Sequence, residues 1–592
     1  MRIFVFRMES STHSTVKMMK RLFYTALLVF SAITHSYSQI PPEVPRGYFD
    51  PPMSHKRVLA GGFAELRSNH FHSGVDFKTQ FVTGKEIHAP ADGFIKRASV
   101  SIGGYGKALY VEHPNGYTTV YGHLDRFAPS IDSLVRKRQY AEESFTADIE
   151  LSPDLIPVKR GELIAYSGNT GSSEGPHLHF EIRRTEDNRP MNPLLFGLDV
   201  DDHRPPTING VYIMNTDGMD TLEMASAPRR VVYQKGSSNA LIRAFGKTVV
   251  LVDAYDTMDD APNKNGVYSI NMYVGGVKAY GMKMNEFDFP RTRQINDHIL
   301  YDYYRRTGKR LVKCYVEPYN ELDIYDRQCL VPAVLDIGEG HQYDIRIEVS
   351  DLAGNISERR FSIIGTPETN TYGGENPGAG CDTENGAMYF RADRPNKIIF
   401  GRFTADFPAN TFRKNMYVNF ERTDSLTFRL DGPHAAALSP FTISFDISGI
   451  PAGTLAKTKI ARPYRTRDGH TRYSFLGGYV KDGRIYLNTT SFGTFTLAQD
   501  DIPPKITRGA WKEGQRLPGR VLKMYISDGQ SGIKSFKGYV DGKWILCEYE
   551  YKKNEISLDT SREGLSKGRH VFRLEVEDNA GNTSVFEGVF IL

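Results

Sequence analysis

Three short stretches carry side-chain types able to bind a metal ion and activate water. Eight of the sixteen histidines fall between His55 and His179, about a fifth of the chain. In Gly175-Pro-His-Leu-His-Phe-Glu181, His177 and His179 stand two apart in text that reads as a strand, so both imidazoles face one side. In Asn69-His-Phe-His-Ser-Gly-Val-Asp-Phe77, His72 and Asp76 bracket Gly74, which lets the backbone turn and bring an imidazole and a carboxylate to one centre. The third is Tyr121-Gly-His-Leu124. Two imidazoles and one carboxylate leave the fourth position of a tetrahedral zinc ion open to water, as in catalytic rather than structural sites. Such a ligand set keeps a net positive charge, so the ion remains a strong Lewis acid and draws the pKa of water toward about 7. Each pattern alone is commonplace: His-x-His is usually a pair of packed or exposed histidines, and His-x-Gly-x-Asp is usually a turn. Their succession within one sheet-rich stretch points to a single metal site.

His72-Ser-Gly-Val-Asp76, Tyr121-Gly-His123, and Gly168-Asn-Thr-Gly171 with Pro176-His-Leu-His-Phe180 resemble the motifs of the lysostaphin and LytM family of zinc endopeptidases. Ala89-Pro-Ala-Asp-Gly93 and Val158-Lys-Arg-Gly-Glu162 fall where such proteins carry similar text, and the likeness covers about residues 60 to 195. The resemblance implies that His72, Asp76 and His179 bind one zinc ion, while His177 and His123 stay off the metal. One of these two, with His177 favoured, takes the proton from the attacking water; the other donates a hydrogen bond to the oxyanion on the scissile carbonyl. It also implies an antiparallel two-layer β-sheet peptidase domain of the duplicated-hybrid-motif kind, with an open groove. Ala64 departs from the family, whose members often have Gly there; the departure is expected to touch packing and not the metal.

Neighbouring residues have plainer readings. His70 competes with His72 as a ligand, but Gly74 lies midway between His72 and Asp76, as the motif requires. Arg67 and Asn69 either line the groove or stabilise a turn. His88 and His113 read as surface or packing histidines, and Tyr121 as core.

The elements that must position these residues are short strands, such as Ala108–Glu112 and Thr118–Tyr121, separated by Gly- and Asn-bearing turns. Ile131 to Ser144 spaces its apolar residues as a short polar helix would, followed by an acidic loop to Pro157, and reads as an insertion at the sheet edge. Beyond Asp201 the chain reads as β-sandwich modules with an internal repeat. Asp202-His-Arg-Pro-Pro-Thr-Ile208 parallels Asp501-Ile-Pro-Pro-Lys-Ile506, and Ile347-Glu-Val-Ser-Asp-Leu-Ala-Gly-Asn355 parallels Leu574-Glu-Val-Glu-Asp-Asn-Ala-Gly-Asn582. Each repeat ends as a strand running into a turn whose glycine takes a positive φ.

The fold class is therefore mainly β, a two-layer peptidase domain followed by several Ig-like β-sandwiches. With 592 residues, 54 glycines and 31 prolines, several domains are expected. They run as a signal peptide 1–38, starting at Met1, Met18 or Met19; a proline-rich lead-in 39–54; a zinc peptidase domain 55–200; an Ig-like domain 201–365; a linker 366–385; a β-rich domain 386–500; and a C-terminal Ig-like domain 501–592. The signal rests on Lys17, Lys20 and Arg21 before an apolar run, then Ser36 and Ser38 flanking Tyr37. No later stretch is apolar enough to cross a membrane. The four cysteines all lie beyond residue 300, so the site does not use thiolates; Cys314 and Cys329 could close a disulfide loop or stay as free thiols. A net charge of +4, dispersed along the chain, sets nucleic acid aside.

The expected function is that of an exported, periplasmic or envelope zinc metalloendopeptidase that cuts peptidoglycan cross-links or stem peptides, with envelope proteins as partners of the β modules. Two alternatives stay open: a catalytically silent scaffold that activates other wall hydrolases, which usually lacks a ligand, and a surface adhesion or assembly protein whose β modules are the working part.

Overall fold

The computed structural model describes residues 44–216, 227–234, 239–367, 385–431, 437–467 and 469–592. The expected signal segment, Cys381 and most of the 366–385 stretch lie outside the described residues. The chain is mainly β, and among the described residues its strands pair antiparallel with one exception, Asn239–Ala244 beside Ile356–Gly365, which run parallel.

The histidine-bearing unit contains twelve strands: β1 Leu59–Gly61, β2 Val75–Lys78, β3 Glu86–His88, β4 Gly93–Val100, β5 Lys107–Glu112, β6 Tyr117–Leu124, β7 Arg126–Phe127, β8 Ala147–Glu150, β9 Pro157–Val158, β10 Leu163–Tyr166, β11 His177–Arg184 and β12 Pro190–Met191. Nine form one sheet in the order β1-β2-β11-β6-β5-β4-β8, with β12 on β11 and β9 on β4; β3, β10 and β7 form a second, smaller sheet. The central strands bury nearly every residue, β11 (HLHFEIRR) and β6 (YTTVYGHL) among them. Such strands are packed on both faces and lose the clean polar alternation of a half-exposed sheet. Leu178, Phe180 and Ile182 take one face of β11, and His177, His179, Glu181 and Arg183 take the other.

The helix expected after Ile131 is present as α1, Pro129–Glu142, with proline in its first turn and Glu143 ending it in the left-handed region at φ 45°. The acidic loop after it is partly a strand: β8 pairs with β4 and closes the sheet edge. The proline-rich lead-in packs against the sheet. Phe49 is 3% exposed and sets its ring against Phe196, His113 and Tyr117. Without a helical or strand period this segment reads as a linker, yet its aromatics bury apolar surface.

Residues 207–365 form two five-stranded sheets, residues 385–499 a six- and a five-stranded sheet, and residues 505–591 two four-stranded sheets. One apolar cluster runs without a break from Phe49 to Ile363, so the first unit and the sheets after it share a core; separate clusters fill the 390–495 and 511–590 regions. The repeated Asp-x-Ala-Gly-Asn turns are built alike. Asp351 accepts from the backbone N–H of Gly354 and Asn355, and Asp578 from those of Ala580 and Asn582, while Gly354 and Gly581 take φ 98° and 84°. Cys314 and Cys329 are free thiols. Among the described residues no helix is long and apolar enough to cross a membrane.

Candidate metal centre

The site is assembled by register. On β11, His179 stands directly opposite Asp76 of β2 on one side and Gly122 of β6 on the other. Cross-strand partners share a face, so the imidazole and the carboxylate meet. Gly74 is required at the turn into β2, because a Cβ there would stand 2.3 Å from the Phe180 carbonyl oxygen. His72 reaches the centre from a hairpin pinned by two backbone hydrogen bonds, Ala64 N–H to the His72 carbonyl and His72 N–H to the Glu65 carbonyl.

Three ligand atoms converge in this buried place. His179 Nδ1 lies 2.9 Å from Asp76 Oδ1, His72 Nε2 lies 3.1 Å from the same oxygen, and the two nitrogens are 3.0 Å apart. A tetrahedral zinc ion with bonds of about 2.0–2.1 Å separates its ligand atoms by about 3.3 Å, so the donor set fits that ion with small adjustments. The outer ring nitrogens are anchored. His72 Nδ1–H donates to the Gly62 carbonyl at 2.7 Å, and His179 Nε2 lies 2.7 Å from Glu181 Oε1. Such partners fix the tautomer and aim the ligating nitrogen.

Electrostatics follow from burial and proximity. Burial works to raise the Asp76 carboxyl, but His72, His177 and His179 outweigh it and hold the group well below the usual carboxylate range. Burial disfavours the His179 imidazolium, yet Asp76 and Glu181 push the ring up to about 9, so a cation entering here displaces a proton from it. Burial, then the His179 and His177 rings, lower His123 to about 3, which leaves it neutral at neutral pH.

His177 and His123 flank the cluster. His177 Nδ1–H donates to the Gly175 carbonyl at 2.8 Å, and its Nε2 lies 3.4 Å from Asp76 Oδ1. His123 Nδ1–H donates to the Thr170 carbonyl at 2.8 Å, and its ring centre lies 4.8 Å from that of His177. Strand alternation alone would send His123 away from the face shared by Gly122 and His179. The chain avoids this with a bulge: Lys107 pairs with Leu124 and Leu109 with Tyr121, so Gly122 and His123 together face Ala108, and His123 takes φ 61°.

All five expected site residues are thus brought together. His70 is exposed and bonds the Ser68 carbonyl, His113 is buried between the Asp92 carbonyl and Thr119, and Tyr121 is core. Arg67 lies beside the site: its guanidinium bridges Glu65 and the second oxygen of Asp76, at 3.0 and 3.2 Å. Ala64 adopts φ 55°, so the departure from glycine touches backbone conformation and not packing alone. Sequence reasoning assigned no role to Glu181, fully buried, which accepts from Ser73, Tyr105 and Arg183. Its signal was present, since Glu181 stands two residues beyond His179 and so on the same face.

The sequence profile of peptidase family M23 matches residues 70–141 and 156–193. This part of the chain is an M23 peptidase domain. It is 38% identical over 123 residues to an uncharacterized metalloprotease of Haemophilus influenzae, covering 21% of this chain and 20% of the relative. It is 32% identical over 133 residues to the DD-carboxypeptidase/endopeptidase Mpg of Neisseria meningitidis, covering 22% and 24%, and 34% identical over 152 residues to the peptidoglycan DD-endopeptidase ShyB of Vibrio cholerae, covering 24% and 29%. The chain therefore spans between a fifth and a third of the length of these relatives.

Proposed function

We propose that the chain is an exported zinc metalloendopeptidase that hydrolyses peptide bonds of bacterial peptidoglycan outside the cytoplasmic membrane. One observation carries this reading: His72 Nε2, Asp76 Oδ1 and His179 Nδ1 converge within about 3 Å of one another, with His177 and His123 beside them. A zinc ion held by those three atoms supplies Lewis acidity toward water and the scissile carbonyl. His177 takes the proton of the attacking water: its Nδ1–H is committed to Gly175, so Nε2 presents a lone pair, and Asp76 lies close enough to stabilise the imidazolium that forms. His123 faces the developing oxyanion. With Nδ1–H committed to Thr170 its Nε2 would donate to that oxygen only as the imidazolium, the proton being the one His177 has taken from the water and passes to its neighbour. We further propose that the sandwich-like units after residue 200 position this domain in the envelope.

The test is mass spectrometry of muropeptides released from purified cell walls by the full chain, with and without a chelator, beside zinc analysis of the protein. The expected result is about one zinc per chain and chelator-sensitive release of peptide fragments. A zinc-loaded chain that releases nothing while stimulating other wall hydrolases would replace this reading with that of an activator.

A further inference from the structure

The end of the chain folds back onto the M23 domain. Helix α1 and its flanks carry much of the contact: Arg136 pairs with Glu563 at 2.7 Å, Asp132 with Arg562 at 2.8 Å, and the Tyr140 ring stands edge-on to Trp544 at 5.0 Å. Lys107, its side chain only 9% exposed, pairs with Glu548 at 2.9 Å. These contacts hold the C-terminal sheets against the edge of the domain that carries the site.

Two side chains of this unit reach the loop behind the histidines: Tyr551, whose hydroxyl lies 3.4 Å from Ser172 Oγ, and Lys552. Lys552 Nζ donates to the carbonyls of Asn169 and Gly171 at 2.6 and 2.7 Å, and Glu550 lies 3.3 Å away, so the three donors of the ammonium each face a partner. The two carbonyls stand on either side of Thr170, whose own carbonyl anchors His123. The same loop carries Ser173, whose Oγ lies 3.2 Å from His177 Nδ1. Thr170 also binds the backbone around His123: its hydroxyl donates to the Leu124 carbonyl and accepts from Lys107 N–H, and its N–H donates to the His123 carbonyl. His123 needs this support, because a left-handed φ in a residue other than glycine persists only where the surroundings impose it.

We propose that Lys552 is a positioning residue for the histidine pair: by fixing the carbonyls of Asn169 and Gly171, the C-terminal β unit sets the orientation of His123 and completes the peptidase site from the far end of the sequence. This rests on the peptidase reading above. The unit is then part of the enzyme and not only an envelope-binding appendage. A misplacement of about 1 Å in a reacting group costs up to about a hundredfold in rate, so a loosened loop has a measurable consequence.

The experiment compares the full-length protein with Lys552→Met, Lys552→Arg and Lys537→Ala. Lys537 belongs to the same interface but touches Glu143, remote from the loop. Measured are kcat and KM on a purified cross-linked muropeptide, zinc content, and hydrogen exchange of the amides of residues 168–173. Expected for Lys552→Met are about a tenfold fall in kcat, KM within about twofold, full zinc content, and faster exchange in the loop. Lys552→Arg should recover most of the rate, since guanidinium can bond both carbonyls, and Lys537→Ala should match wild type. Wild-type kcat and loop protection in Lys552→Met overturn the proposal, as does equal damage from Lys537→Ala, which would reduce the contact to docking. If the wild type cleaves no muropeptide the peptidase reading fails, and loop exchange alone decides: faster in Lys552→Met supports positioning, unchanged refutes it.

Discussion

Glu181 Oε1 lies 2.7 Å from His179 Nε2, on the side of the ring away from Asp76, and no part of Glu181 reaches solvent. Burial would raise this carboxyl, but Arg183 and His179 hold it well below the usual range, so a negative charge stands permanently behind the imidazole. That charge makes the ring a better ligand and fixes which nitrogen faces the centre. Glu181→Gln keeps the shape and removes the charge. The expected outcome is a loss of zinc affinity of about 10- to 100-fold, read by competition with a chromophoric chelator.

Gly74 makes a complementary claim about backbone. A methyl group there meets the Phe180 carbonyl at 2.3 Å, and Phe180 is a buried strand residue with little room to yield. In Gly74→Ala the turn between His72 and Asp76 must move, separating two of the three ligand atoms. The variant should fold with a stability loss of about 1–3 kcal/mol and purify with well under one zinc per chain. Calorimetry and metal analysis check both halves.

How far the site was legible in the sequence depends on the kind of information each residue carries. His177, His179 and Asp76 could be placed because strand periodicity and a glycine at a tight turn are local properties, and β11 and β2 obey them. The same periodicity extended two residues would have found Glu181. His123 was legible only through family likeness: alternation points it the wrong way, and the bulge opposite Ala108 that re-aims it depends on the pairing of two strands. The partner of Arg67 was not legible, because nothing local shows that the turn at Asn69 returns its guanidinium to Asp76. Lys552 was out of reach, since its partners lie 381 and 383 residues away. The sheet-rich architecture was readable from short alternating runs, whereas the core shared between Phe49 and Ile363 was not, because periodicity shows that a face is buried but not against what.

His298 tests that shared core. It is 1% exposed, bonds the Tyr325 hydroxyl, and sets its ring 6.3 Å from that of Phe71. Burial, with Lys313 adding to it, lowers this group to about 3. An unfolded histidine titrates near about 6.5, so between these two values the unfolded chain binds the extra proton. The stabilising contribution is complete above about pH 6.5 and is lost as pH falls toward 3, at about 1.4 kcal/mol per pH unit. From pH 7 to pH 5 the wild type should lose about 2 kcal/mol through this residue. His298→Gln should lack that part of the slope in calorimetric scans at the two pH values, and an equal slope in both proteins would show that the ring is not held neutral.

The last prediction tests the proposed division between residues that hold the ion and residues that move protons. Neither His177 nor His123 supplies one of the three converging atoms, and each commits Nδ1–H to a backbone carbonyl, at Gly175 and Thr170. Replacing either with alanine should therefore leave zinc content near one per chain, whereas Asp76→Ala should abolish tight binding. Loss of the proton acceptor in His177→Ala should lower kcat by about 10²- to 10⁴-fold. Loss of oxyanion stabilisation in His123→Ala should lower it by about 10²- to 10³-fold. In the proposed mechanism both rings serve one transition state, so the double variant should be far less impaired than the product of the two factors. Zinc analysis beside muropeptide kinetics reads all four proteins. A zinc-free His177→Ala protein would move that ring, 3.4 Å from Asp76, into the ligand set and reassign proton transfer to His123.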